Sequence, residues 1–566
     1  MAPPALPRQV LLPALAVTSV GLASLALGLT YLQHRFPHED AYILFRYARN
    51  LAEGYGIAFN PGGPPAEGAT DFLWMVTLAA LNALGLDVAV AAVTANALGA
   101  SLCAGLLLSA VPLRELEPRR HWHLLLAPGV LLVTAAATAA YVGFSSMFYG
   151  GVALLTYRLF TARSERVRLL VPVAGLLLAL VRPDGVVIGV GMTLLALARA
   201  TPGQRGRFVR VMGACALGGA VYFVWRATYF GELLPLPLYV KSHAPSPLPG
   251  LGENLAWLCQ LAAPLVVFLA AALLFLSREG LTDVRPYLLG LAPFALHIAL
   301  LSLGVPSQNI AMRFQAPALL ALLLVLQLLL AGPTSAPGPG GGASRLAFLV
   351  ALVCACLPQV WLLRDTLVRA PFDPYMDRFS FALGRRLDRG TVVALTEAGR
   401  LPFWTEAQVV DLVGLNTRET ARTPPTAASL RELAPDLVMF HHDWTLDVSG
   451  VRGGPGQDVI AVTEPLRERV LPQFRPLLTA SGKSYDELAV DHVKLAPLVA
   501  TEFLSQMREE YDVYLVRYLR GYAHVYGVKK GLARREDIPR LLQEAHERGP
   551  SSYFALLRSA PPPPQP

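Results

Sequence analysis

The sequence predicts an all-α polytopic membrane domain of about 11–12 hydrophobic segments followed by a soluble α/β domain on the outer face. Three observations predict it. Mean hydropathy is +0.45, with 54% hydrophobic and only 16% charged residues, against about 25% charged in an ordinary soluble domain. Apolar runs able to cross, or nearly cross, a hydrocarbon core of about 30 Å recur up to residue 363. Beyond that point the runs shorten and charge returns. A net charge of +8 and a pI near 9.3 do not indicate nucleic acid, because much of the arginine lies in short loops between apolar runs, where topology accounts for it.

The first run, 10–31, follows Arg8 and has no small-residue cleavage site before Gln33-His34-Arg35, so it reads as a retained anchor. An outer loop, 32–71, comes next. Within it Ala41 to Glu53 forms a helix, with Tyr42, Phe45, Arg46, Arg49 and Ala52 at helical spacings and Gly54 and Gly56 as breakers. That helix is expected in the membrane interface, its aromatics as anchors and Arg46 and Arg49 at headgroups. Further runs follow at 72–86, 88–112, 122–141, 148–162, 167–181, 185–199, 208–229, 255–277, 286–304, 314–331 and 346–363. Arg182-Pro183-Asp184-Gly185 is a hairpin turn between two of them.

Arg114, Arg119, Arg120, Arg158, Arg163, Arg166, Arg168, Arg199, Arg205, Arg207, Arg210, Arg278, Arg285 and Arg345 fall in one set of loops, which the positive-inside rule makes cytoplasmic. The Glu39/Asp40 loop, the 231–254 loop, the 305–313 loop and everything after 363 are then outside. Twelve full crossings would return the C-terminus to the cytoplasm, so 72–112 is expected to contribute one net crossing, with one piece lying along or dipping into the membrane.

The membrane domain therefore spans 1–363 and the extracytoplasmic domain 364–559. The Gly- and Pro-rich stretch 332–344 is a flexible linker, and 560–566 is a disordered tail. Thr391-Val-Val-Ala-Leu395, Val409 to Gly414 and Asp436 to Phe440 read as short strands, and 495–520 as helix followed by strand. Five cysteines, Cys103, Cys215, Cys259, Cys354 and Cys356, lie in or beside apolar runs, which leaves the outer domain without a disulfide or zinc framework. Cys354-Ala-Cys356 reads as packing.

Several phrases together resemble one superfamily. They are Glu39-Asp40 with Tyr42, Phe45, Arg46 and Arg49; Gly54-Tyr55-Gly56 and Phe59-Asn60-Pro61; Glu67-Gly68 with Thr70, Phe72 and Trp74; Arg182 to Gly185; Trp225-Arg226 to Pro235 with Tyr239 and Lys241; and Arg313-Phe314. In that order they resemble the membrane glycosyltransferases of the GT-C type, and within that superfamily the mycobacterial terminal arabinofuranosyltransferases and their bacterial relatives. Asp411 to Leu415 with Pro435-Asp436 is similar to the outer domain of the same proteins.

The resemblance implies a polyprenyl-phosphate sugar as donor, a glycan, lipid or protein of the cell envelope as acceptor, and transfer on the outer side of the cytoplasmic membrane. It implies an acidic residue of the first outer loop at the active site. A sugar joined to a monophosphate has a modest leaving group, so such a site must neutralise charge on phosphate and take a proton from the acceptor hydroxyl. Asp40 is then the general base and Glu39 orients it or touches sugar hydroxyls. Arg46, Lys241 and Arg313 are the candidates for phosphate, with Glu67 and Arg182 as further substrate-binding candidates.

Relatives carry two aspartates where this chain has Glu39-Asp40, and a Gly-x-Glu-Thr phrase where it reads Gly143-Phe-Ser-Ser-Met147. A Gly-Gly-Asp phrase is absent from 302–312. For Arg182 and Asp184, ion pairing at the turn stands beside a role in binding substrate; for Lys241, a solvated loop lysine stands beside phosphate. His441-His442-Asp443 reads as a strand-end turn, and His38 as a solvated interfacial residue, since no ligand set at metal spacing accompanies it. No cofactor is named by the sequence, and a divalent cation is left open. The alternatives are a transporter or flippase for lipid-linked sugars, or a non-catalytic scaffold in envelope assembly. A transporter would show repeated halves and charges deep in its spans, whereas here charges cluster at span ends.

Overall fold

The chain enters the bundle through α1 (Arg8–His34), turns through Pro37 and starts α2 (Glu39–Ala52). Two local contacts set the bounds of α2. His38 is extended and accepts the Asp40 N–H on its Nδ1 at 3.2 Å, and Gly54, at φ 88°, takes the left-handed turn that ends the run. After the loop come α3 (Phe72–Ala83) and α4 (Val88–Leu108), the second capped by Asp87, which accepts the Ala89 N–H at 2.9 Å. The structure, a computed structural model, describes residues 8–109, 128–241, 248–274, 278–304, 309–331, 341–365, 374–442, 459–462, 492–518, 522–533 and 535–559. The tail 560–566, most of the 332–344 linker, the loop with Arg114, Arg119 and Arg120, and Asp443 lie outside the described residues.

The rest of the bundle comprises the helices Ala135–Tyr141, Ser146–Phe160, Val171–Val181, Gly185–Ala198, Pro202–Phe230, Leu251–Leu274 with a π turn at Leu258–Ala262, Arg278–Leu301, Ala316–Ala331 and Gly341–Arg364. Among the described residues six helices are long and apolar enough to cross a membrane, beginning at Pro13, Val88, Pro202, Leu251, Val284 and Ile310. Most of the other expected crossings are shortened. At 1.5 Å per residue the 12 residues of α3 span about 18 Å, well short of the core, so α3 reaches only part way. The hairpin Val171–Val181/Gly185–Ala198 closes on two glycines: a Cβ on Gly175 would meet the Gly189 carbonyl oxygen at 3.0 Å, and one on Gly189 would meet that of Gly175 at 2.6 Å.

The C-terminal part is a mixed six-stranded sheet in the order β2-β1-β3-β6-β5-β4, made of β1 (Val392–Leu395), β2 (Gln408–Asp411), β3 (Leu437–His442), β4 (Val459–Ala461), β5 (Tyr511–Tyr518) and β6 (Tyr522–Lys529). The first three strands are parallel and the others join antiparallel. The apolar runs seen in sequence supply β1, β2 and β3, and the helix-then-strand region is the His492–Gln506 helix followed by β5. His441 belongs to β3, opposite His524 of β6, and not to a turn. All five cysteines are free.

One apolar core runs from the bundle into the sheet domain and passes through α2, joining Trp74, Met75 and Leu78 to Tyr42 and Phe45, and these to Leu401, Phe403 and Val393. This corrects the expectation of an interfacial helix. Tyr42, Phe45, Tyr47 and Ala48 are fully buried, Tyr42 lies 5.2 Å from the Phe403 ring, and Arg49 sits 4.6 Å above that ring instead of at headgroups. The C-terminal helix Tyr553–Ser559 returns to the bundle, where the Tyr553 hydroxyl donates to Asp87 Oδ2 at 3.0 Å.

Candidate functional site

Glu39 and Asp40 open α2 at the end of the bundle that carries the sheet domain. Helix starts favour acids, but these two are occupied elsewhere. Glu39, half-buried, accepts the Gly399 N–H on Oε1 at 2.5 Å. Burial, then Asp40 and Glu397, push Glu39 well above the usual carboxylate range. Burial pulls the neighbouring His38 down to about 4, which keeps its imidazole neutral. Asp40 lies within electrostatic range of Arg313.

Arg313 precedes the Ala316–Ala331 helix. Its guanidinium lies 3.6 Å above the Phe144 ring and 5.1 Å from that of Phe314. Among the described residues it has no hydrogen-bond acceptor and no carboxylate within 4.0 Å, and its Nε is buried without a partner. Asp40, Asp71, Asp184 and Arg182 surround it at longer electrostatic range. The two residues before it, Ala311 at φ 52° and Met312 at φ 53°, are consecutive non-glycine residues in the left-handed region. Strain of about 1–2 kcal/mol per residue is stored there.

Arg182 is buried against Asp184, Nε to Oδ1 at 3.0 Å, stands 3.9 Å from Asp71 Oδ2, and lies over the rings of Tyr149 and Phe314. His297 Nε2 meets Asp184 Oδ2 at 3.0 Å and Ser145 Oγ donates to Asp71 Oδ2 at 2.7 Å. Asp71, Ser145 and His297 were missed in sequence. Asp71 immediately precedes α3, but its side chain makes no cap bond and turns instead to Ser145. Ser145 stands in the Gly143 phrase where the resemblance expects an acid. His297 had a signal, since a lone histidine in an apolar span is a site candidate by default.

The remaining candidates separate. Arg46 is fully buried; its guanidinium donates to the Phe59 carbonyl, to the Thr405 carbonyl at 3.0 Å and to Asn60 Oδ1 at 3.1 Å. Burial, with Arg49 nearby, draws it down to about 9. The expectation that it meets phosphate is corrected: its donors are committed to neutral oxygens that hold the loop and the sheet domain on α2. Glu67 pairs with Arg226, Nε to Oε1 at 2.6 Å with a second, shorter bond from Nη2. Lys241 ends the helix Leu236–Lys241, and its side chain lies outside the described residues.

Glu67, Arg226 and Thr70 are among the polar residues lining a cavity of about 650 Å³ whose walls include Leu176, Val190, Met212 and Tyr222. Pro183, between Arg182 and Asp184, also lines it, so the cavity lies next to the charged cluster. Among the described residues no group of three or more His, Cys, Asp or Glu is placed to hold a metal ion.

Bundle and sheet domain define a multi-pass membrane protein with a helical N-terminal region and a C-terminal mixed α/β domain, like ArnT. The structure of ArnT from Cupriavidus metallidurans bound to undecaprenyl phosphate matches with a TM-score of 0.50 at 14% identity, over 80% of this chain and 96% of that one. Its apo state gives 0.51 at the same identity and coverage. The Archaeoglobus fulgidus oligosaccharyltransferase in complex with Zn and sulfate gives 0.44 at 12% identity, over 75% of this chain and 67% of that one. A family model described as a domain of unknown function (DUF8728) matches residues 369–513. No curated protein matches the chain.

Proposed function

We propose that this chain is a GT-C type glycosyltransferase that moves a sugar from a polyprenyl-phosphate donor to a cell-envelope acceptor on the outer side of the cytoplasmic membrane. The observation that carries the reading is Arg313, a buried cation on two aromatic faces with no anion in contact and with Asp40 within electrostatic range, in a charged cluster next to an apolar cavity. A cation held on aromatic faces away from water gains most from an anion that arrives with the substrate. The cavity suits a prenyl chain, with phosphate at its charged mouth, and the ligand named for the ArnT structure has that chemistry. Asp40 takes the proton of the acceptor hydroxyl as that oxygen bonds the anomeric carbon. The bond from that carbon to the phosphate oxygen breaks, and Arg313 meets the charge left there. Arg182 is held by Asp184 and Asp71 and sets the field around Arg313.

Purified protein incubated with a panel of polyprenyl-phosphate sugars and envelope acceptors is expected to release polyprenyl phosphate. The likeness to mycobacterial terminal arabinofuranosyltransferases puts an arabinofuranosyl donor first in that panel. Movement of donor across proteoliposomes without such release would replace an enzyme with a flippase. Absence of both would leave a scaffold.

A further inference from the structure

The chain from β1 to β2, residues 396–407, is a crossover between parallel strands, and it carries the short helix Arg400–Trp404. Glu397 fixes its start to the sheet, Oε1 meeting His524 Nε2 of β6 at 3.1 Å. The next residues, 399–405, meet one face of α2. Gly399 gives its N–H to Glu39 Oε1, and a Cβ on Gly399 would run into the Glu39 backbone carbonyl. The Phe403 ring lies 5.2 Å from Tyr42 and 6.4 Å from Phe45, with the Arg49 guanidinium 4.6 Å above it, and the Thr405 carbonyl accepts from Arg46 at 3.0 Å. With about 100° per residue, Glu39, Tyr42, Phe45, Arg46 and Arg49 share a stripe about 120° wide, and Asp40 lies about 100° beyond its edge. The gripped face therefore excludes Asp40. One polar link ties this seat to the rest of the domain. The buried Tyr42 hydroxyl donates to Asp377 Oδ1 at 3.0 Å, and Arg400, next to Gly399 in sequence, donates from Nε to Asp377 Oδ2 at 3.0 Å.

We infer that Asp377 and Arg400 are positioning residues for sugar transfer: through Tyr42 they fix the rotation of α2 about its own axis, and with it the placement of Asp40 two residues earlier. The inference rests on the function proposed above and deepens it. Apolar contact with Phe403 holds the helix down but is not directional, so it resists a small turn weakly. A hydrogen bond from the rigid Tyr42 ring has both a length and an angle to keep. The lever is long enough to matter. At about 6 Å from the axis, a carboxylate moves about 1 Å for every 10° that the helix turns. A misplacement of about 1 Å can cost roughly a hundredfold in rate. Asp377 has one oxygen on α2 and the other on the crossover, so it joins the two elements with no oxygen left over.

The test joins hydrogen exchange to steady-state kinetics in the full-length protein, comparing wild type with Tyr42→Phe, which loses the hydroxyl and keeps the ring on Phe403. In wild type the amides of α2 are expected to exchange no faster than those of β1 and β2, because the elements open as one unit. In Tyr42→Phe, α2 is expected to exchange about tenfold faster while β1, β2 and β3 keep the wild-type rate. Its kcat is expected to fall about 10- to 100-fold with KM for donor unchanged. Arg400→Gln, a change at a partly exposed side chain, is expected to show the same pattern. Amides of α2 that exchange well ahead of the strands in wild type overturn the inference without any variant having to fold. Unchanged kcat in Tyr42→Phe overturns it too, as does loosening of strands and α2 together, which is lost stability and not lost position. The exchange measurement needs no sugar transfer, so a wild type inactive in the donor panel refutes the proposed function while the hold on α2 is still decided.

Discussion

At the scale of single residues, Glu39 and Asp40 are adjacent in sequence but differ in surroundings, one accepting the Gly399 N–H and the other within electrostatic range of Arg313. Asp40→Asn keeps the shape but accepts no proton at neutral pH, so transfer is expected to fall by about 10²–10⁴ while donor binding persists. Glu39→Gln still accepts from Gly399, so a smaller loss is expected. Steady-state kinetics of both variants checks the order; full activity in both would remove this pair from the chemistry. Replacing Arg313 by Ala is expected to lower kcat/KM by about one to two orders of magnitude, or about 1.4–3 kcal/mol. Normal turnover in that variant would place the phosphate site elsewhere. Asp377 offers a pH test of a different kind. Burial raises it from 3.8 to about 6 against the pull of Arg400 and Tyr42. A carboxyl raised in the folded state contributes stability that is fully present below 3.8 and lost as pH rises through about 6. The contribution is at most about 3 kcal/mol. Asp377→Asn is expected to flatten the pH dependence of Tm across that window, and an unchanged slope would show that Asp377 does not titrate there.

At the scale of elements, α2 shows what was legible in sequence and what was not. Its helical period and glycine stop were plain, because both are local. Its surroundings were not, because amphipathic spacing reads the same whether the partner is a lipid surface or a protein domain made hundreds of residues later. The same limit applied to Arg46, whose carbonyl acceptors are not a sequence pattern, and to Glu397, which has no apolar period around it. Arg182, Asp184 and Arg313 were legible because a charge between apolar runs stands out. Arg46→Met is expected to cost about 2–5 kcal/mol, since it strands the Phe59 and Thr405 carbonyls in a buried interface. At a temperature where the variant is folded, its KM for donor should match wild type. A raised KM would return Arg46 to the phosphate.

At the scale of the molecule, the charged cluster and the sheet domain share one end of the bundle, and Arg158, Arg168 and Arg199 lie at the other ends of their helices. By the positive-inside rule that bias predicts that the domain is outside. A reporter active only beyond the cytoplasmic membrane should work when fused near residue 370 and fail near 205. The reverse pattern would turn the whole molecule over. The number of apolar segments was readable along the chain, but their depth was not, because a run of 12 apolar residues carries no mark of whether it stops half way.

The burial of α2 beneath the sheet domain also has a history in time. The Arg46 guanidinium and its Thr405 acceptor are 359 residues apart, and a ribosome adding about 5–20 residues per second makes the second roughly 20–70 s after the first. Throughout that interval the first loop is finished while its lid is still unmade, with a helix of aromatic side chains uncovered at the membrane surface. A chain truncated before residue 392 never makes that cover, so its α2 is expected to stay open to protease where the full chain protects it.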